Sequence, residues 1–240
     1  MNSSGQPRFG PWFLAFAVLS AAGLTGLGLL AERNPRLAFR LVSEDGPLEW
    51  SQALLLGATA TLLFGAAWFR RGRISWLLSA AAIGFLLTIA EEISWGQRIL
   101  GIQTPEAIAA INRQKELTLH NLGWLHELRH LTPIGLAAAT CMLCAALGLG
   151  LWRPKSGGPA EFLLPHPLLG FQVATILVPY ASVMFGAPQA WMSGTNIHPR
   201  ADWRLASEAG EYLFYFSVFL HALTLFARAR LAPRAEPASR

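Results

Sequence analysis

Residues 74–98 read ISWLLSAAAIGFLLTIAEEISWGQR, a charge-free run from Ile74 to Ala90 followed by two carboxylates and a polar stretch. A helix needs roughly 20 apolar residues to cross about 30 Å of hydrocarbon. If this one starts near residue 73, Glu91 lies about 27 Å along it at 1.5 Å per residue, at the edge of a bilayer's apolar layer. Working outward, residues 9–31, 50–69 and 131–152 are equally free of charge. So is 167–187, bounded by Pro167 and Pro188, and then 212–227, with Glu208 and Glu211 in its first turn. The pattern predicts an all-α polytopic membrane protein, a single integral membrane domain over 1–240. Its six transmembrane helices lie at about 11–31, 49–69, 74–97, 132–152, 167–187 and 208–227. Residues 103–130 are too polar to cross and predict a short extracytoplasmic interfacial helical segment.

Composition supports this. The chain is 53% hydrophobic and only 14% charged, against about 25% charged in soluble domains. That excludes a disordered chain, a coiled coil and an ordinary soluble enzyme. A net charge of +5 would suggest nucleic acid in a soluble protein. Here the basic residues sit in short loops between apolar runs, so membrane lipids are the expected neighbours and nucleic acid is not. Cys141 and Cys144 share one apolar run and read as packing, not as a disulfide framework. The first apolar run is long and followed by others, so it reads as a span and not as a cleaved signal.

Six spans put both termini on one side. That side carries ten of the 19 basic residues, among them the tight Arg70-Arg71-Gly72-Arg73 loop and the basic tail after Arg228. Basic loops stay inside, which predicts a bacterial inner-membrane protein with cytoplasmic termini. Twelve of the 14 acidic residues fall on the other side, together with His120, His126, His130 and His198. Any chemistry is therefore expected on the extracytoplasmic face.

Four constellations stand there. In Glu91–Arg98, spacings of three and four place Glu91, Ser94, Trp95 and Arg98 on one helical stripe. A carboxylate at that depth is costly unless paired or facing a wet cavity, so the stripe reads either as a functional site or as a Glu–Arg pair closing a helix end. Glu44-Asp45-Gly46-Pro47-Leu48-Glu49-Trp50 reads as a helix start, and a compact bundle brings Glu49 near Glu91 and Glu92. Residues 126–130, His126-Glu127-Leu128-Arg129-His130, match H-E-x-x-H. On a helix this spacing holds Zn²⁺ between two imidazoles and sets the Glu against a bound water. Composition alone gives roughly 0.007 such matches in a chain of this kind. Against the metal reading, Arg129 repels a cation and Pro133 follows closely; third ligands would be His120, Glu208 or Glu211. Lastly, Glu208, Glu211 and Tyr215 share a stripe that either completes an acidic pocket or caps the last helix. His221, deeper in that span, is expected to hydrogen-bond across helices.

At Glu91–Arg98, and at Asn112, Gln114 and Glu116 followed by Leu119-His120-Asn121, the sequence resembles a group of bacterial multi-pass inner-membrane proteins of unassigned function. They share a Glu-Glu-x-Ser-Trp-Gly-Gln signature and a Leu-His-Asn motif. The resemblance covers roughly 44–130 and implies a membrane location without an activity. The Glu pair is also faintly similar to the CAAX-protease-like (Abi) endopeptidases. Their pattern asks for Arg four residues after the second Glu, where this chain has Gly96. Ser94, His120 and His221 are faintly similar to the Ser/His set of ceramidase-like membrane hydrolases. The final H-x-x-x-H helix of that family is missing, with Leu225 four residues past His221.

The expectation is a polar pocket lined by Glu49, Glu91, Glu92, Ser94, Gln97, Arg98, His120, Asn121 and Glu211. One reading is a metal-dependent hydrolase or transferase acting on a lipid or envelope substrate. Glu91, Glu92, Ser94 and Arg98 would be catalytic, and Glu49, Trp95, Gln97, Asn121 and Glu211 would contact substrate. His120, His126 and His130 would hold a divalent metal such as zinc. The alternatives are a proton- or cation-coupled transport or binding protein, and a structural subunit of a membrane complex. The acids cluster at one edge and only His221 is deep, which favours an interfacial pocket over a conduction path.

Overall fold

The computed structural model describes residues 10–43, 46–112, 115–119, 121–122, 131–155, 158–184 and 199–231, without the side chains of residues 98, 131–134, 179–184, 199–204 and 206. Among these residues every regular element is helical, and strand pairing is confined to one antiparallel bridge between Asn112 and Leu122. The helices are α1 Gly10–Arg33, α2 Pro35–Leu41, α3 Pro47–Phe69, α4 Arg73–Glu92, α5 Gln97–Leu100, α6 Glu106–Ala109, α7 Leu131–Gly148, α8 Pro159–Leu163, α9 Leu169–Met184 and α10 Pro199–Leu231.

Local chemistry explains the boundaries. Pro35, Pro47 and Pro159 occupy first-turn positions, where the missing N–H costs nothing. Asn34 caps α2, its Oδ1 accepting the Leu37 N–H at 3.1 Å. Before α3 the chain doubles back so tightly that a Cβ on Gly46 would lie 2.5 Å from the Ser43 carbonyl. Only glycine fits there. Gly72, at φ +69°, makes the left-handed step between α3 and α4.

Four helices are long and apolar enough to cross a membrane: Gly10–Arg33, Pro47–Phe69, Arg73–Glu92 and Ser207–Leu231. The apolar stretches Gly135–Gly148 and Leu169–Val178 are shorter. Two predicted spans need correcting. The third ends at Glu92 and not at residue 97, because the chain turns left-handed at Ser94–Gly96. The last helix begins earlier, at Pro199, but its stretch long and apolar enough to cross is Ser207–Leu231, in line with the predicted start at 208. The fourth stops at Gly148. The interfacial helix expected within 103–130 shrinks, among the described residues, to the single turn of α6.

Helix α10 is shared by two packing layers. On one side Leu213 and Leu220 meet Phe13 of α1, Ala137 of α7 and Val173 and Ile176 of α9. On the other, Ala222, Leu225 and Ala229 meet Ala60, Leu63 and Ala66 of α3 and Leu78 and Ala82 of α4. Lipid supplies no hydrophobic drive between helices, so close approach through small residues holds them. A Cβ on Gly65 would lie 2.7 Å from the Phe226 ring, and one on Gly170 would lie 2.8 Å from Cys144 Cβ. Cys144 is thus a packing residue against α9.

The bundle has two chemically distinct ends. At the basic end, the start of α1 abuts His166 and Leu168, the end of α7 abuts Pro167, and Arg70 stacks on Phe162 with 4.7 Å to the ring centre. Exposed Trp12, Trp68, Trp76 and Trp152 ring this end, and exposed Trp50 and Trp95 mark the other. From Trp50 to Trp68, α3 rises about 27 Å. That spacing is what two interfacial aromatic belts require. The architecture is that of a multi-pass membrane protein.

Candidate functional site

The acidic end holds those of the predicted site residues that are described, and it sorts them into two groups. The first group folds the segment after α4. Ser94 (φ +49°), Trp95 (φ +55°) and Gly96 (φ +75°) are consecutive left-handed residues. For Ser94 and Trp95 this costs about 1–2 kcal/mol each. Such strain persists only where neighbours over-determine it, and here they do. Glu91 Oε1 accepts the Trp95 indole N–H at 2.7 Å, and its Oε2 accepts the Leu119 backbone N–H at 2.7 Å. The Ser94 hydroxyl, fully buried, donates to Glu116 Oε2 at 2.8 Å. Gln97 uses both ends of its amide. Nε2 donates to the Thr104 hydroxyl at 2.5 Å, and Oε1 accepts the Leu117 N–H at 2.8 Å. Hydrogen bonds to carboxylates are worth about 1.5–3 kcal/mol each, enough to offset the turn.

The returning chain is itself stitched. Thr104 donates to the Lys115 carbonyl at 2.6 Å, and Asn112 Nδ2 to the Thr118 carbonyl at 2.7 Å. Buried Asn121 donates to the Thr118 hydroxyl at 3.0 Å. The described residues within 93–122 therefore form a cap folded back over the end of α4. Ser94, Trp95, Gln97 and Asn121 belong to it, and Glu91 at the end of α4 anchors it. The expected stripe of Glu91, Ser94, Trp95 and Arg98 along one helix does not form, because α4 ends first. Glu91 and Trp95 still meet, across the turn.

The second group faces the bundle. Glu92 Oε1 accepts the Tyr215 hydroxyl at 2.7 Å, joining α4 to α10 across 123 positions of chain. Glu211 and Glu208, on the same stripe of α10, lie within electrostatic reach of that hydroxyl. Ser207 donates to Glu211 Oε1 at 3.0 Å. From α3, fully buried Gln52 donates Nε2 to the Glu208 carbonyl at 3.1 Å, while its Oε1 has no hydrogen-bond partner. Half-buried Glu49 lies one turn earlier on the stripe of Gln52. Glu92, Tyr215, Glu211, Glu208, Gln52 and Glu49 thus come from three helices to one end of the bundle.

Sequence reasoning missed Gln52, although a lone amide within an apolar run was the available signal. It also missed the roles of Glu116 and Thr104 as anchors of the cap. The Arg98 side chain, His120, His126 and His130 lie outside the described residues, and so does the H-E-x-x-H stretch. Among the described residues, no group of three or more His, Cys, Asp and Glu side chains is arranged to hold a metal ion. His221, expected to bond across helices, meets the Leu163 carbonyl through Nε2 at 3.0 Å, and its buried Nδ1 has no partner.

No protein-family model, curated protein or solved structure matches this chain.

Proposed function

We propose that this is a six-span inner-membrane protein with cytoplasmic termini, acting as a hydrolase or transferase on a lipid or envelope substrate at its acidic, extracytoplasmic end. The span count is supported by the basic end, where the start of α1, the α3–α4 turn, the end of α7, the start of α9 and the end of α10 converge. Such convergence suits an even number of crossings. The orientation follows from the basic residues gathered there.

The observation that carries the chemical reading is the Glu92–Tyr215 hydrogen bond. It sets a carboxylate against a phenol at the end of α4, with Glu208 and Glu211 close by. A carboxylate so placed acts as general base or acid, a contribution of about 10²–10⁴ in rate. In the sequence His120 directly precedes Asn121. His120, His126 and His130 are the residues that would hold a divalent metal, with zinc the natural match for imidazole. The resemblance to membrane proteins sharing the Glu-Glu-x-Ser-Trp-Gly-Gln signature fits this location.

The test is to reconstitute the protein with a bacterial envelope lipid extract and follow composition by mass spectrometry. Wild type should convert at least one component, Glu92→Gln should cut the rate at least about 100-fold, and His120→Ala should lose bound metal. An unchanged extract, or a Glu92→Gln protein as active as wild type, would overturn the reading.

A second reading has its own observation. Gln52 Oε1, Gln172 Nε2 and His221 Nδ1 are buried polar atoms without partners, on α3, α9 and α10. Orphaned polar atoms inside a bundle suit hydration, and hydration suits proton- or cation-coupled transport. Proton uptake into proteoliposomes that Glu92→Gln abolishes, with no lipid converted, would select it.

A further inference from the structure

The cap of residues 93–122 is built inside out for a water-facing loop. Four of its polar side chains, Ser94, Asn112, Thr118 and Asn121, are at most 3% exposed. Six of its large apolar side chains point outward: Trp95, Ile99, Leu100, Ile102, Ile111 and Leu119 are each at least 48% exposed. A solvated loop shows the reverse pattern, and exposed apolar groups in this number mark a contact surface.

Position identifies the contact. The cap leaves α4 directly after Glu92, at the end of a helix long enough to cross the membrane. Its first exposed apolar residue, Trp95, has its indole N–H tied to Glu91, the posture of an interfacial tryptophan with its polar edge satisfied and its ring in the acyl boundary. The apolar surface of the cap therefore continues the lipid-facing surface of α4. Irregular backbone is tolerated at that depth only when its polar groups are satisfied within the protein. The hydrogen bonds of Glu91, Gln97, Thr104 and Asn112 to cap backbone do that. Gln103, Glu106 and Lys115 are exposed as well, which sets the depth at the headgroup boundary and not in the mid-bilayer.

We infer that the surface formed by Trp95, Ile99, Leu100, Ile102, Ile111 and Leu119 is a lipid-contact surface seated in the leaflet at the acidic end. The cap then stands between the leaflet and the end of α4 that carries Glu92. The lipid contact rests on the chain crossing a membrane and not on the chemistry proposed above.

Spin labels test it. With Cys141 and Cys144 replaced by alanine, nitroxides are placed at Ile99→Cys, Ile102→Cys and Leu119→Cys, and for comparison at Glu106→Cys and Lys115→Cys. In phosphatidylcholine and phosphatidylglycerol vesicles, the first set should collide with oxygen and be shielded from an aqueous nickel chelate. The second set should show the opposite, with ratios several-fold apart. Wild-type protein in vesicles carrying an acyl-chain diazirine lipid gives an independent reading that needs no variant. Photo-adducts should fall on residues 95–102 as well as on the long apolar helices. Adducts on those helices but not on the cap, with nickel reaching positions 99 and 119, would overturn the inference while leaving the membrane reading intact. Shielding of the cap from lipid and water alike would overturn it in favour of a protein neighbour. Adducts nowhere would overturn the membrane reading itself.

Discussion

The two ends of the bundle solve one problem with different side chains, carboxylates and amides at one and a guanidinium and imidazoles at the other. Each must secure a non-helical segment whose backbone groups have lost their ladder partners. At the acidic end, side-chain oxygens accept from backbone N–H groups: Glu91 takes Leu119 N, Gln97 takes Leu117 N and Asn112 takes Glu116 N. At the basic end, side-chain nitrogens meet backbone carbonyls. Arg228 donates to Phe162 O at 2.9 Å and to Leu164 O at 2.8 Å, and His221 contacts Leu163 O between them. Three successive carbonyls at the end of α8 are thereby held by one face of α10. At the basic end the hydrogen bonds of Arg228 and His221 go to backbone carbonyls. The acidic end closes its cap with one Glu of the pair and leaves the other, Glu92, facing the bundle with Tyr215. A helix end that needed only capping would not require both.

The comparison breaks most visibly at Arg228. Replacing it by Gln removes two hydrogen bonds from a charged donor, each worth about 1.5–3 kcal/mol. The largest stability loss of any change considered is expected, read as the thermal midpoint in detergent. Arg228→Lys should fall between, since it keeps the charge and the donors but its shorter side chain must reach two carbonyls that a single guanidinium nitrogen now holds.

Next in size is Gly96→Ala. A Cβ there meets only Leu100 Cδ1 at 3.8 Å, so space is not limiting, but the residue sits at φ +75°. A cost of about 1–2 kcal/mol is expected from the left-handed backbone. It should register as faster proteolysis of the 93–122 cap with little change in the helices. Cap proteolysis unchanged from wild type would mean that the turn is not held as described.

The smallest effect is a pH dependence at the basic end. Burial, and then the Arg228 charge, lower the His166 pKa below its ordinary 6.5. Its Nδ1 accepts the Leu168 N–H at 3.2 Å, which needs a neutral ring. The unfolded chain therefore takes the proton first. The contribution of His166 is complete above pH 6.5 and is lost as pH falls through the lower folded value. Wild type should lose stability over that window, and His166→Gln should flatten the dependence.

The spans were largely legible because hydropathy is a local property: Ile74–Ala90 declares itself whatever it packs against. The end of α4 was not legible. Spacing alone continued the helix through Arg98, whereas the turn at Ser94–Gly96 is held by Glu116 and Leu119, more than twenty positions on. The pairing of Glu92 with Tyr215 was half legible. The stripe of Glu208, Glu211 and Tyr215 stood out by helical spacing, but its register against α4 depends on how three helices pack. The clamp on α8 was hidden for a different reason. Phe162, Leu163 and Leu164 contribute only carbonyls, which no residue identity reports.

The most direct measurement compares turnover per folded molecule and thermal midpoint for Glu92→Gln and Arg228→Gln in proteoliposomes with envelope lipid. If the ends divide chemistry from stability, Glu92→Gln keeps its midpoint and loses turnover by about 100-fold or more. Arg228→Gln should lower the midpoint and keep its turnover. Full turnover in folded Glu92→Gln would contradict the account.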